Sequence, residues 1–268
     1  MTERLKRYGD RNGFGFANGN SEIDMVPAKT RLDAAVHKAA AQYKELDIQP
    51  GMNPCGLSLD CGNIETMEDL LVAATGNWFS RRLDMPFHEV VYAPNRKVET
   101  HCGFDLSIGR LNTMKKRLRI QNKTVTRWCD QTDPIVLRAK LKPKDRKNTS
   151  ADERLLLQVK CLCKLYQDSE GKSQPYLLVQ QCYCLHDYRR MGRRDLKSPA
   201  LDNQLRSMAI DLSDEKFRKL VAKDVAWKFQ LDFASEQRRV KCRVLSNIEE
   251  PIPLTVLSLK DLVGQLEK

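Results

Sequence analysis

The sequence predicts an α+β fold: N-terminal helices packed on a mostly antiparallel β-sheet or sandwich, finished by a short C-terminal helix. Two observations carry this. Apolar residues recur at helical spacing as far as residue 86 and at strand spacing from residue 87 onward. Helices followed by a run of strands, without regular alternation of the two, is the order of α+β domains. A third observation bears on partners. Residues 101–200 carry 22 Lys+Arg against 10 Asp+Glu, and this block accounts for essentially all of the net charge of +11.

Residues 1–30 are polar and glycine-rich and read as a flexible N-terminal segment, leaving 31–268 as a single domain. Its helical part is 31–86, its β-rich part 87–246 and its C-terminal helix 258–267. Leu32, Ala35, Val36, Ala39, Tyr43 and Leu46 place a helix over 31–47, stopped by Pro50-Gly51. Met67, Leu70, Leu71, Ala74 and Trp78 form the stripe of a second helix over 67–82, with Thr66 and Asp69 as its capping box. Period-two segments then predict strands at 88–93, 98–108, 115–121, 134–142, 154–166, 176–186, 225–233 and 239–245. The segment 167–174 reads as the loop of a long hairpin, and Ser235-Glu-Gln237 closes a second one. Residues 214–223 read as a short helix capped by Ser213, and 259–266 as a last helix with Ser258 and Asp261 as its capping box.

The basic residues alternate with apolar ones along these strands. Lys115, Arg117 and Arg119 would share one face, as would Arg138, Lys140 and Lys142 on the next strand and Lys160 and Lys164 on another. Arg239, Lys241 and Arg243 add a further strand, and Arg189, Arg190, Arg193 and Arg194 form an exposed loop cluster. Like charges side by side on a sheet repel, so the arrangement points to a polyanionic partner. Nucleic acid, RNA or DNA, is the first reading, contacted through its phosphates. Anionic membrane is the rival, as for a viral structural or movement-type protein whose basic face binds RNA or lipid headgroups. The N-terminus MTERLKRYGDRNGFG has no apolar stretch after its basic residues, which predicts a cytoplasmic or nuclear protein that is not secreted.

A constellation for chemistry is also present. Asp105 in Cys-Gly-Phe-Asp-Leu-Ser-Ile108 falls on the polar side of a predicted strand, and Gln158 and Lys160 fall together on another. A carboxylate on one strand and Gln-x-Lys on the next resembles the restriction-endonuclease-like nuclease family, in the variant where glutamine replaces the second acid. The resemblance implies a Mg²⁺-dependent nuclease in which Asp105, Gln158, Lys160 and Glu68 of the preceding helix are catalytic. Without that activity no cofactor is expected. Separately, Leu5–Ala17, with its Gly-Phe-Gly-Phe core, resembles the first nucleic-acid-binding motif of cold-shock domains, and Ile23-Asp-Met-Val26 echoes the second. Cys161, Cys163, Cys182 and Cys184 could face each other across the predicted hairpin as a zinc set, but their apolar neighbours favour core packing. The histidines show no ligand spacing, and the motifs of nucleotide hydrolysis and of ester or peptide hydrolysis are absent from the sequence.

Overall fold

A computed structural model describes residues 25–27, most of 72–94, 103–109, 116–126, 133–140, 150–182, 207–223, 225–234 and 239–266. The helix predicted over 31–47 and the cold-shock-like segment 5–17 lie outside the described residues, as do the first residues of the 67–82 helix.

In chain order the elements are strand β1 (Met25–Pro27), helix α1 (72–82), a single turn α2 (Phe87–Val90), β2 (Val91–Pro94), β3 (Leu106–Ile108), β4 (Arg117–Thr126) and β5 (Ile135–Ala139). They continue with α3 (Ala151–Asp168), β6 (Ser173–Cys182), β7 (Ser207–Asp211), α4 (Glu215–Ala222), β8 (Trp227–Ala234), β9 (Arg239–Ser246), β10 (Ile252–Leu254), β11 (Val256–Leu257) and α5 (Leu259–Leu266). Seven strands form one sheet in the order β1-β2-β3-β4-β6-β7-β11, and four form a second in the order β10-β9-β8-β5. Among the described residues every pairing is antiparallel except the central one, where β4 and β6 run parallel from Arg117↔Ser173 to Thr126↔Cys182. The α+β class therefore holds, with the larger sheet mixed.

The parallel pair explains the largest correction to the sequence reading. Residues 154–166 are not a strand: they lie inside α3, which belongs to the crossover that parallel strands need. Leu155, Leu156, Val159, Leu162 and Cys163 are buried, one face of a 3.6-residue period. The apparent alternation through Leu157, Val159, Cys161 and Cys163 is one thread of an almost continuously apolar stretch. Local signals favour the helix as well. The Ser150 side chain accepts from the Glu153 N–H at 3.2 Å as an N-cap, and Asp152 and Glu153 occupy the positive first turn. The stretch 167–174 is thus no hairpin loop. It is the exit from α3, turned by Glu170 and Gly171, both at positive φ.

Two apolar clusters sit on the two faces of the large sheet. On one, Leu106, Ile108, Leu118, Ile120, Tyr176 and Leu178 pack with Phe79 of α1 and Leu262 of α5. On the other, Leu177 and Val179 pack with α3, with Phe217 of α4, and with the inner face of the second sheet through Trp227, Phe229 and Leu231. Trp227 meets Phe217 and Phe229 edge-on, with ring centroids 5.4 and 4.9 Å apart. The helix α3 is covered on both sides, which fixes its height over the sheet. Among the described residues no helix is long and apolar enough to cross a membrane.

Candidate active site

The polar centre of the molecule lies where the apolar filling of β4 gives out. Leu118 and Ile120 fill one face of this strand, and Arg119, Gln121, Lys123 and Val125 alternate on the other. β3 pairs with β4 as Leu106↔Ile120, which brings Asp105, one residue before β3, level with Gln121. The Asp105 N–H donates to the Ile120 carbonyl at 2.9 Å and extends the ladder by one step. Its Oδ2 then accepts two donors from β4, the Gln121 side-chain Nε2 and the Asn122 backbone N–H, each at 2.7 Å. Such short bonds to a carboxylate oxygen hold it in one orientation. Gln121 is 2 % exposed, and its Nε2 also donates to the Asn122 carbonyl at 3.1 Å. Its Oε1 is buried with no hydrogen-bond partner. A buried amide oxygen without a partner is costly, and this one belongs to the same amide that grips Asp105.

The neighbours set the shape of the site. Gly103 has φ +75°, and a Cβ there would overlap the Gln158 carbonyl oxygen and lie 2.8 Å from Cys161 Cβ. Glycine is required for this close approach of the Asp105 segment to α3. Gln158 Oε1 is likewise buried without a partner. The Arg119 guanidinium lies over the Phe104 ring, 4.8 Å from its centroid, and the residue is buried. Lys123 is half-buried and shares the face of Gln121. On the opposite face, Gln180 Nε2 donates to Asn122 Oδ1 and to Thr75 Oγ1, both at 3.0 Å, tying β4 and β6 to α1.

The sequence-predicted residues are distributed differently from the expectation. Asp105 is not inside a strand spanning 98–108: it lies in the bend one residue before β3, and its backbone N–H extends the ladder. Gln158 and Lys160 do not stand on a strand beside it: they are on α3, and the Gln-x-Lys on the neighbouring strand is Gln121-Asn-Lys123. Sixteen residues separate Asp105 from Gln121. The same spacing rule would have found this pair, had strand 115–121 been continued two residues further. Glu68 lies outside the described residues. Cys163 is buried and Cys161 half-buried on α3, and burial pushes their thiols up to about 12 and about 11, against the thiolate form a metal needs. Cys184 and the side chain of Cys182 lie outside the described residues. Among the described residues no group of three or more His, Cys, Asp and Glu comes together.

The basic set is also redistributed. Arg119 is buried and Arg117 half-buried in the large sheet, so neither belongs to an open cationic face. Lys160 is half-buried and Lys164 exposed on α3. Arg138 and Lys140 at β5, and Lys241 and Arg243 on β9, are exposed at the second sheet. Acidic partners are interspersed there, against expectation: Asp232 faces Lys241 in register and pairs with Arg243 at 2.7 Å, and Asp152 lies 3.8 Å from Lys140. Partial burial acts to raise the Asp232 carboxyl, but the hydrogen bonds from Gln230 and Arg243 and the nearby positive charges outweigh it and hold it below its usual range. Lys115, Lys142, Arg189, Arg190, Arg193, Arg194 and the Arg239 side chain lie outside the described residues. No family model, no curated protein and no solved structure matches this chain.

Proposed function

We propose that this protein is a Mg²⁺-dependent nuclease of restriction-endonuclease-like type, with Asp105, Gln121 and Lys123 as its centre. The observation that carries the proposal is the meeting of Asp105 with Gln121 on paired strands, with Lys123 two residues further on the same face. The surrounding order supports it: a helix, three antiparallel strands, then a crossover containing a helix and ending in a strand parallel to the third. The positive charge of residues 101–200 suits a polyanionic substrate.

The donor set fits a hard divalent cation. The Asp105 carboxylate and the unpartnered Gln121 Oε1 are oxygen ligands of the kind Mg²⁺ takes alongside water and substrate phosphate. When bound, the metal supplies Lewis-acid stabilisation of charge on the scissile phosphate. The protein's own residues do the rest. The Gln121 amide and the Asn122 N–H keep Asp105 oriented. Lys123 places an ammonium on the same face, where it orients the attacking water and holds a proton near the scissile phosphate.

The test is metal-dependent cleavage of single- and double-stranded DNA and RNA. Asp105→Ala and Lys123→Ala are each expected to lower the rate by roughly 10²–10⁴-fold, whereas Lys160→Ala leaves it near wild type. No cleavage by the wild-type chain with Mg²⁺ or Mn²⁺, or cleavage that survives Asp105→Ala, overturns the proposal. The exposed cations of the second sheet favour one other reading, nucleic-acid binding without cleavage, which metal-independent and salt-sensitive retention of uncut strands would support.

A further inference from the structure

A second site lies on the smaller sheet, away from the strand that carries Asp105. Where β5, β8 and β9 run side by side, a cleft of about 400 Å³ opens at the sheet end, walled by Arg138, Lys140, Trp227, Lys228, Ser246 and Asn247. Arg138 and Lys228 stand directly opposite each other on paired strands. Two cations in that relation repel and weaken the sheet. No acid among the described residues answers them. Asp152 serves Lys140, Asp232 serves Arg243, and Glu249 serves Lys223. Asn247 adds an exposed amide at the rim. An unanswered pair of positive charges at a cleft this size calls for an anionic ligand, and the volume lies within the range of small-ligand sites.

We propose that this cleft is a docking site for one nucleotide unit of a nucleic-acid strand, its phosphate held between Arg138 and Lys228 and its sugar or base facing Asn247. The proposal rests on the reading of nucleic acid as the substrate and adds a contact remote from the cleaved bond. A bound phosphate turns the Arg138–Lys228 repulsion into two charge-assisted hydrogen bonds. Arginine can present two parallel donors to the phosphate, and lysine a single charge.

The experiment uses the full chain carrying Asp105→Asn, so that strands stay intact, and follows the binding of a short fluorescent single-stranded oligonucleotide over a salt series. Arg138→Gln with Lys228→Gln is expected to weaken binding about tenfold or more at physiological salt and to lower the slope of log affinity against log salt by about 0.7, the share of one phosphate contact on a single strand. Both substitutions relieve a like-charge contact, so the loss of binding is accompanied by a melting temperature no lower than that of the wild type. Unchanged affinity and slope overturn the site. Inorganic phosphate and a mononucleotide are titrated in parallel. If they bind tightly and depend on the two residues while the oligonucleotide does not, the ligand is a free phosphate compound and the proposal also falls. Hydrolysis of bis(4-nitrophenyl) phosphate, too small to span both sites, separates this proposal from the nuclease reading. Wild-type hydrolysis retained in the double variant, together with unaltered oligonucleotide binding, removes the docking site alone. Weakened oligonucleotide binding in the double variant, in a protein that hydrolyses neither the small diester nor nucleic acid, keeps the docking site and removes the nuclease.

Discussion

Replacing Gly103 by alanine adds one methyl group where the Asp105 segment presses on α3. Two penalties follow from the geometry. The backbone there has φ +75°, a region that costs an L-residue about 1–2 kcal/mol. The new Cβ would also overlap the Gln158 carbonyl oxygen, part of the α3 backbone, so no side-chain rotation relieves the contact. Overpacking of this kind costs about 1–3 kcal/mol. Together they give about 2–5 kcal/mol, a large part of the roughly 5–15 kcal/mol by which domains are stable. Urea unfolding followed by tryptophan fluorescence reads this directly, because Trp227 is buried against Phe217 and Phe229. The control is Gly264→Ala inside α5, where a Cβ meets nothing within 4 Å. There the same methyl group is expected to stabilise by about 0.5–1 kcal/mol through helix propensity and reduced unfolded-state entropy. The two substitutions therefore have opposite signs. A Gly103→Ala protein within about 0.5 kcal/mol of wild type, the ordinary scatter of surface changes, would show that α3 does not press on the Asp105 segment.

Three other outcomes can be measured. Asp261→Ala removes the acceptor of both the Ser258 N–H and the Ser258 hydroxyl and should lower stability by about 1 kcal/mol in the same denaturant assay. Gln180→Leu breaks its hydrogen bonds to Asn122 and Thr75 inside the core and should cost about 1–3 kcal/mol for each buried group left unsatisfied. An effect no larger than that of a surface substitution would mean that α1 is not tied to β4 by this amide. The thiols of Cys161, Cys163 and Cys242 are raised by burial to about 11, 12 and 12. The unfolded chain loses these protons first, near pH 9, so their contribution to stability is full below pH 9 and declines as pH rises toward 12. Alkylation of Cys163 and Cys242 at pH 8, followed site by site by peptide mapping, should accordingly wait on unfolding, and prompt labelling of either in the native protein would contradict the burial.

The C-terminal third was largely legible. The Trp227–Ala234 and Arg239–Ser246 strands, the helix Glu215–Ala222 and the Ser258/Asp261 box fall where periodicity and capping chemistry place them, although Asp214 and not Ser213 caps that helix. β7, Ser207–Asp211, was not anticipated: buried along most of its length, it has no alternation to read. The segment 154–166 failed for a related reason. A stretch as apolar as Leu155–Cys163 satisfies both periods, and only the Ser150 cap and the acidic first turn decide between them. The candidate site was half legible. Asp105 stood out by its apolar neighbours, but its partners are set by a strand register that short-range patterns do not encode. Gln158-Val-Lys160 and Gln121-Asn-Lys123 are equivalent as motifs. Only the pairing of Leu106 with Ile120 tells them apart.

The crossover between β4 and β6 has a consequence for the order in which the chain organises itself. Asp105 and Gln121 are sixteen residues apart and meet through antiparallel neighbours, a short loop closure. The parallel contact of β4 with β6 must close around all of β5 and α3, and such distant pairings are slow to form. The acid and its amide are therefore expected to meet early in folding, while the helix above Gly103 and the strand beside Asn122 arrive late; pulsed hydrogen exchange would report it as protection of the Asn122 amide ahead of those in β6. On the nascent chain the two site residues could already be side by side and still stand in water. The dry surroundings that would give a bound ion its leverage would come only with the last closure.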